Sequence, residues 1–131
     1  MKSVFCDMLG IEVVETGEGW SHLRAVVGPQ HTNFHNTAHG SFLYALADEA
    51  FALACNSRGP AVALSTRMDY FRPVRAGDVV EARAREVHVG GRTSTYEVEL
   101  SSGGSLVALF IGMAYRLSDG RQPPPGRAAG F

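Results

Sequence analysis

Hydrophobic residues change their spacing along this chain. Short alternating runs occur at residues 11–15 and 20–27, on either side of a Thr-Gly-Glu-Gly stretch, and this arrangement predicts a β-hairpin. An almost continuously apolar run follows at residues 41–55, where Asp48 and Glu49 are the only charged side chains. A run of that length, apolar around most of its circumference, predicts a helix enclosed by the rest of the protein.

Four more strands are predicted after this helix, at residues 62–72, 79–89, 92–101 and 105–117. The third of them alternates between apolar and polar side chains, which predicts one buried and one solvated face. The fourth is apolar at both parities, so we expect it to be central and covered on both faces. In the second, the alternation changes parity near Arg85, which indicates a β-bulge. We also expect a short helix at residues 2–9 and a polar loop at 28–39.

Length, charge and cysteine content narrow the class of protein. A chain of 131 residues forms one domain, which we assign to residues 1–117, and the proline-rich tail at 118–131 is expected to be disordered. The net charge of −1 and pI near 6.5 argue against a nucleic-acid partner. With no membrane-spanning apolar run and no signal pattern, we expect a cytoplasmic protein that does not bind a membrane. Two cysteines are too few for a disulfide framework.

A carboxylate inside an apolar helix calls for an explanation, because burial disfavours its charged form. Raised basicity makes Asp48 a candidate general base that activates water. Gly40 lies at the predicted start of the helix, where backbone N–H groups without intrahelical partners can bind a developing oxyanion. Asn33, in the preceding loop, can orient the water through its amide. These residues together predict hydrolysis of a thioester.

The spacing of the two central residues then constrains the assembly. Gly40 and Asp48 are eight residues apart, which is about 12 Å along one helix. One thioester carbonyl cannot contact both, so Gly40 of one subunit must act with Asp48 of another. We therefore predict an obligate homodimer, paired again into a homotetramer.

Several segments resemble the PaaI-like branch of acyl-CoA thioesterases, the phenylacetate-degradation family. These segments are residues 33–48, 56–59, 68–73 and 76–78. The resemblance implies a hotdog fold of the α+β class, in which a curved antiparallel sheet wraps around one long central helix and active sites are shared across a dimer interface. It also implies that Asp48 is the catalytic carboxylate, that Gly40 supplies the oxyanion-hole amide, and that Asn33 and His39 bracket the catalytic water and the thioester.

Two positions depart from the family pattern. Asn36 replaces the Gly that usually follows the first His, and Ser41 replaces the second Gly of the His-Gly-Gly motif. Because the oxyanion donor is a backbone group of Gly40, these departures bear on the range of substrates more than on the type of reaction.

The sequence contains candidate residues for binding the substrate and candidate residues for binding a metal ion, and it supports the first prediction better than the second. A CoA carrier presents phosphates that guanidinium groups bind well, and Arg72, Arg75 and Arg92 lie at predicted strand ends or turns. Solvated surface arginines are the competing interpretation. The spacing of His31, His35 and His39 matches metal ligands on one helix face, but the neighbouring Pro and Asn residues disfavour a helix there. We expect neither a metal ion nor a cofactor.

The sequence thus favours an acyl-CoA thioesterase acting on small, aromatic, phenylacetyl-type acyl groups. One alternative is a hotdog dehydratase or hydratase with His35 or His39 as the base. Another is a non-catalytic acyl or lipid binder in which Asp48 is structural. The other candidate residues also have structural interpretations. Asn33 can form a turn, Gly40 can allow a tight entry to the helix, and His39 can cap the helix.

Overall fold

A computed structural model describes residues 3–117 as one antiparallel sheet with a long helix on one face. The elements in chain order are α1 (Val4–Met8), β1 (Glu12–Gly17), β2 (Trp20–Val26), α2 (Gly40–Cys55), β3 (Ala61–Tyr70), β4 (Val79–Val89), β5 (Thr93–Ser102) and β6 (Ser105–Arg116). Short 3-10 turns occur at Pro29–His31 and Asn56–Arg58. The tail expected to be disordered, residues 118–131, lies outside the described residues.

The six strands are ordered β1-β2-β4-β5-β6-β3. Each neighbouring pair is antiparallel. The chain leaves β2, forms α2, and returns as β3 at the far edge of the sheet, so the helix spans the strands that separate β2 from β3. This arrangement is the predicted hotdog architecture of the α+β class.

Helix α2 forms where the sequence is apolar on most of its circumference, and nine of its residues are buried. It begins after His39, whose Nδ1 accepts a hydrogen bond from the Ser41 amide at 3.3 Å. It ends at Asn56, whose side-chain amide donates to the Ala52 carbonyl at 2.9 Å. Both helix termini therefore have side-chain partners for otherwise unpaired backbone groups.

A cluster of three aromatic rings joins α2 to the centre of the sheet. The Phe51 ring lies 5.7 Å from Tyr96 of β5 and 5.5 Å from Phe110 of β6, within the range of favourable aromatic pairs. Gly112 permits this packing, because a Cβ there would lie 2.8 Å from the Phe51 ring and 2.9 Å from that of Phe110. The helix can approach β6 this closely only over a glycine.

The predicted pattern of faces is confirmed for β5, and the predicted central position of β6 is confirmed by its place between β5 and β3. In β5, Ser94, Tyr96, Val98 and Leu100 are all buried, whereas the alternating positions are partly or fully exposed. In β6, Leu106 and Met113 remain 42% and 38% exposed, because α2 covers one face of the sheet and no described residue covers the other completely. The bulge expected near Arg85 is confirmed by a register shift between Glu86 and His88.

Within residues 3–117, no helix is both long enough and apolar enough to cross a membrane.

Candidate active site

Asp48 is half-buried on the side of α2 that approaches β3. It lines a cavity of about 260 Å³ together with Tyr44, one helical turn earlier, and with Leu64, Ser65 and Thr66 of β3. The Tyr44 hydroxyl is 2.5 Å from the Thr66 hydroxyl, and either can be the donor. The carboxylate therefore shares a small space with the hydroxyl groups of Tyr44 and Thr66, which can bind water.

An irregularity in β3 turns Thr66 toward α2. The register of β3 against β6 shifts between Ala63 and Ser65, which makes Leu64 the extra residue of a bulge. Ser65 and Thr66 follow the bulge in regular register, opposite Met113 and Gly112, so their side chains point to opposite faces of the sheet. Thr66 has the α2 side, since its hydroxyl meets that of Tyr44, and Ser65 borders the cavity with its side chain directed to the other face.

Burial raises the pKa of the Asp48 carboxyl to about 6, and the charge of the adjacent Glu49 contributes to the increase. The group is therefore a stronger base than a solvated aspartate and still carries its charge at neutral pH. Such a pKa suits a group that must accept a proton near physiological pH.

The first turn of α2 has one amide without an acceptor among the described residues. The Ser41 N–H donates to His39 Nδ1, while the Phe42 and Leu43 N–H groups both donate to the His39 carbonyl at 3.0 and 3.2 Å. The Gly40 N–H has no such partner in residues 3–117. It is the donor that remains for an oxygen atom at the helix start, where the helix dipole favours negative charge.

Gly40 lines a second cavity, of about 310 Å³, at the start of α2. The opposite wall of this cavity includes the consecutive residues Tyr70, Phe71 and Arg72, of which Tyr70 is the last residue of β3. The Tyr70 hydroxyl donates to the Gly40 carbonyl at 3.0 Å. The lining of this cavity thus combines Gly40, whose amide has no acceptor among residues 3–117, with two aromatic residues and the exposed Arg72.

The cavities of Asp48 and Gly40 share no lining residue. Eight residues of one helix separate the two groups, which corresponds to about 12 Å. A single chain therefore does not bring the predicted base and the predicted oxyanion donor to one carbonyl group.

Asn33 organises the loop before α2. Its Oδ1 accepts from the His35 N–H at 2.9 Å and from the Thr37 N–H at 3.3 Å, with the Thr37 hydroxyl at 3.2 Å. This is an Asx-type turn, so the side-chain oxygen is engaged within the loop. The side-chain NH₂ is the part of Asn33 that can donate to water or to a carbonyl group.

His39 acts as the N-cap of α2, and its side chain is exposed. Its Nδ1 lies 2.7 Å from the Ser41 hydroxyl and accepts from the Ser41 amide. The capping interpretation is therefore what the contacts show, and a role of His39 at the thioester stays a prediction.

The three candidate arginines do not form one group within a single chain. Arg72 lines the Gly40 cavity, and Arg75 follows it in the same exposed segment. The Arg72 N–H donates to Val107 at the beginning of β6, whereas the Arg92 carbonyl accepts from Arg116 at the end of β6. Those two points are nine strand residues apart, or roughly 30 Å.

Arg92 has contacts at its own end of the sheet. Its guanidinium carbon lies 5.9 Å from the centroid of the Tyr115 ring, in a cation–π arrangement. Its guanidinium also donates to the Tyr115 hydroxyl at 3.5 Å.

The three regularly spaced histidines do not share a helix face, because the 3-10 turn at Pro29–His31 ends before His35. His31 is buried, whereas His35 and His39 are exposed. Across the described positions, no group of three or more His, Cys, Asp or Glu side chains is arranged to hold a metal ion.

Sequence reasoning missed Tyr44, Ser65, Thr66 and Tyr70 as residues of the two cavities. Tyr44 precedes Asp48 by one helical turn, so the i, i+4 spacing was an available signal. The direction of the Thr66 side chain toward α2 depends on the Leu64 bulge, and β3 contains no glycine that would reveal it.

Comparison with known proteins identifies the family to which the chain belongs. Residues 35–108, more than half of the chain, match the family described as "Thioesterase superfamily". The chain is 40% identical over 111 residues to the acyl-coenzyme A thioesterase PaaI of Escherichia coli strain K12, covering 83% of this chain and 79% of that protein.

Solved structures give the same relationship. A variant of the phenylacetic acid degradation protein PaaI from Thermus thermophilus superimposes with a TM-score of 0.87 and 56% identity, covering 88% of this chain and 100% of that one. The E. coli PaaI structure gives a TM-score of 0.85 and 38% identity, with 88% and 86% coverage. The chain therefore belongs to the thioesterase superfamily, and within it to the PaaI-like hotdog-fold acyl-CoA thioesterases.

Proposed function

We propose that this protein hydrolyses small aromatic acyl-CoA thioesters at a site shared by two subunits, with Asp48 as the base and the Gly40 amide as the oxyanion donor. The observation that carries the proposal is the half-buried Asp48 carboxyl, which shares a cavity with the Tyr44 and Thr66 hydroxyls and has its pKa raised to about 6. The name of the E. coli relative, an acyl-coenzyme A thioesterase, supports the class of substrate.

The reaction balances with one water molecule. Asp48 accepts a proton from water as the water oxygen attacks the thioester carbonyl carbon, and the carbonyl oxygen becomes an anion bound by the Gly40 N–H. Collapse of this intermediate breaks the C–S bond and releases CoA as its thiol, which takes up the proton held by Asp48. The acid leaves as the second product.

Hydroxyl groups beside Asp48 support the water-activating role over a purely structural one. A structural buried carboxylate is normally stabilised by donors that lower its pKa. Asp48 instead has a raised pKa caused by burial and by Glu49. The Thr66 and Tyr44 hydroxyls can hold the attacking water without competing for its proton, because hydroxyl groups are far weaker bases than a carboxylate.

Two observations support a site shared by two subunits. The Asp48 and Gly40 cavities are separate within one chain, and β3 lies at an edge of the sheet. Asp48 faces β3, and β3 is an edge strand of the sheet. A second copy that adds to this edge would bring its own α2 toward the first one, and an antiparallel arrangement would set Gly40 of one copy opposite Asp48 of the other. We propose a homodimer on this basis, and pairing of dimers into a homotetramer for the partly exposed outer face of β6.

The phenylacetyl-type acyl group and the phosphate contacts are the finer parts of the proposal. Arg72 is the best placed of the three arginines for the CoA moiety, because it lines the Gly40 cavity. Arg75 extends the same surface. Arg92, about 30 Å along β6 from Arg72 in one chain, can contribute to that CoA only from another subunit. The printed name of the T. thermophilus relative, a phenylacetic acid degradation protein, supports an aromatic acid as product.

Thiol release from a panel of aliphatic and aromatic acyl-CoA thioesters tests the proposal. We expect release to be fastest with arylacetyl groups, and to fall by about 10²–10⁴ in Asp48→Asn, which keeps the shape and removes the base. Glu49→Gln is the matched control. It removes the charge next to Asp48 from a side chain that does not line the Asp48 cavity, so the variant should retain turnover. Loss of enoyl absorbance without thiol release would instead identify a dehydratase, and full activity of a folded Asp48→Asn protein would remove Asp48 from the mechanism.

A further inference from the structure

Phe34 is an apolar side chain at the tip of a hydrogen-bonded loop. It is 91% exposed, the largest fraction among the large hydrophobic residues that the structure describes. A β-turn carries it, in which the Asn36 N–H donates to the Asn33 carbonyl at 3.0 Å. The Asn33 N–H donates in turn to the Thr37 carbonyl at 2.9 Å, across the base of the turn. These bonds fix the backbone from which the Phe34 ring projects.

Single exposed hydrophobic residues are ordinary on protein surfaces, so the location of Phe34 decides what its exposure means. The loop is attached to the segment that follows β3. The Ala38 N–H donates to the Val74 carbonyl at 2.7 Å, and Thr37 forms a β-bridge with Arg75. Because β3 is an edge strand and ends only a few residues earlier, the turn lies close to the edge at which we propose that a second copy joins.

A second exposed apolar residue borders the other half of the proposed site. Leu64 is 49% exposed and lines the Asp48 cavity. Within one chain it is far from Phe34. The loop of Phe34 is bonded to residues beyond Tyr70, the end of β3, whereas Leu64 lies six residues before that end, or roughly 20 Å. Each residue therefore needs its apolar cover from another chain.

The proposed dimer brings these two residues to the same place. Helix α2 and strand β3 run antiparallel, since Gly40 at the start of α2 is bonded to Tyr70 at the end of β3, and Asp48 lies beside residues 63–66. With Gly40 of one copy opposite Asp48 of the other, the chain that precedes Gly40 continues past the partner's Asp48 toward the beginning of the partner's β3. Leu64 of the partner subunit lies in that direction.

We infer that Phe34 crosses the dimer interface, packs against Leu64 of the partner subunit and covers the partner's Asp48 cavity, so that its ring forms one wall for an aromatic acyl group. Contacts between aromatic rings in offset or edge-to-face geometry are favourable, which makes Phe34 a specificity-determining residue supplied in trans. It takes no part in proton transfer. The inference rests on the proposed homodimer for its geometry and on the proposed thioesterase function for its kinetic tests.

Cysteine cross-linking tests the contact without any measurement of turnover. The double variant Phe34→Cys/Leu64→Cys is treated with a short bismaleimide, and we expect a covalent dimer on a denaturing gel. The native Cys6 and Cys55 are buried, so the treated wild type should give none. Each single variant and Phe34→Cys/Val87→Cys are the further controls, because Val87 is similarly exposed, at 53%, but lies on β4, three strands from β3.

Light scattering shows whether the double variant is a dimer before it is cross-linked. A dimer that cross-links no better than these controls overturns the inference. A monomeric protein would reject the proposed homodimer, and the inference with it.

Phe34→Ala tests the role of the ring as a wall. We expect kcat/KM for arylacetyl-CoA to fall by about 5- to 50-fold, mainly through KM, because a ring contact and its buried apolar area are lost. A short aliphatic acyl group does not reach the ring, so its hydrolysis should change little. Phe34→Tyr keeps the ring and should retain the aromatic preference, and Val87→Ala is the control for loss of an exposed apolar side chain. Equal losses with both substrates, or no loss with either, contradict the inference.

Subunit mixing identifies the chain that supplies the ring. When Gly40→Pro and Asp48→Asn subunits pair, the sound site takes Gly40 from the Asp48→Asn chain and Asp48 from the Gly40→Pro chain. Phe34→Ala added to the Asp48→Asn chain should therefore lower the recovered arylacetyl-CoA hydrolysis by about 5- to 50-fold. The same change in the Gly40→Pro chain should leave it unaltered.

The reverse pattern, or equal effects from both chains, would overturn the supply of Phe34 in trans. Absence of thiol release from every acyl-CoA would instead reject the proposed function, and absence of recovery on mixing would reject the shared site. In either case the cross-link still decides whether Phe34 meets Leu64 of the partner subunit.

Discussion

The Tyr70 hydroxyl donates a 3.0 Å hydrogen bond to the backbone carbonyl of Gly40, which ties the last residue of β3 to the first residue of α2. The bond uses the Gly40 carbonyl and leaves its N–H for a ligand. The same tyrosine ring lies 3.5 Å from the point where a Cβ on Gly40 would be. Gly40 can therefore be substituted so that its backbone N–H is removed or kept while its carbonyl still accepts the hydrogen bond from Tyr70.

Gly40→Pro is expected to lower kcat by about 10²–10³ because it removes the oxyanion donor. The helix should tolerate it, since Pro is favoured at the first helical position and His39 already has the extended backbone, φ −63° and ψ 137°, that residues before Pro adopt. Gly40→Ala is the control, because its Cβ makes only an ordinary contact with Tyr70 and its N–H remains. Steady-state kinetics checks both, and a folded Pro variant with undiminished kcat would exclude the amide.

The pH dependence of kcat/KM should show an acid limb with an apparent pKa near 6, as the Asp48 carboxyl has. Activity needs the ionised form, so the rate should fall about tenfold per pH unit below that value. In Glu49→Gln the limb should move to lower pH, because the Glu49 charge contributes to the raised pKa of Asp48. Profiles measured between about pH 4.5 and 8.5 test both statements. An unchanged limb in the variant would show that another group titrates.

Asp48 should also reduce stability at neutral pH. Its folded pKa of about 6 exceeds the ordinary aspartate value of 3.8, so the folded state binds the proton more tightly, and the stability this provides is lost as pH rises through 6. Asp48→Asn does not titrate. Its advantage over the wild type in free energy of unfolding should grow between about pH 4 and pH 8 by on the order of 1 kcal/mol, allowing for partial exposure. Urea unfolding at both pH values measures this, and a difference that shrinks toward pH 8 contradicts the assigned pKa.

Mixing two inactive variants tests the shared site. In a heterodimer of Gly40→Pro and Asp48→Asn subunits, one site carries both lesions and the other carries neither. Random pairing of equal amounts makes about half of the dimers mixed, so activity should recover to about a quarter of wild type. Both variants must first be shown to be dimeric and to exchange subunits. A mixture that exchanges and stays inactive means that each site is built within one chain.

The sequence was sufficient for elements whose burial follows a simple period. The alternation in β5 and the apolar circumference of α2 each specify a face, and the structure has those faces. Asp48 and Gly40 could be singled out because a carboxylate in an apolar helix and a glycine at its start are local signals. Cover of the face of β6 opposite α2 stays a prediction, because apolar residues at both parities do not reveal whether the cover comes from the same chain or from another subunit.

Other features depend on long-range placement. The extra residue Leu64, which turns Thr66 toward α2 and the Asp48 cavity, is defined by pairing with β6, 40 or more residues later in the chain. In the sequence Arg92 and Arg72 are equivalent, because both are arginines near predicted strand ends. Their separation follows from which end of β6 each one meets, and residue spacing does not contain that information.

The position of β3 has a consequence for the integrity of the isolated chain. It is a ten-residue strand at an edge of the sheet, and exposed edges of that length promote pairing with unrelated chains. The opposite edge, β1, is six residues long and carries a bulge, which makes it the less reactive of the two. Substitutions that prevent the proposed pairing of two copies at β3 should therefore give aggregation-prone protein instead of a soluble inactive monomer, so in the proposed dimer the strand that borders the Asp48 cavity would also keep the protein in solution.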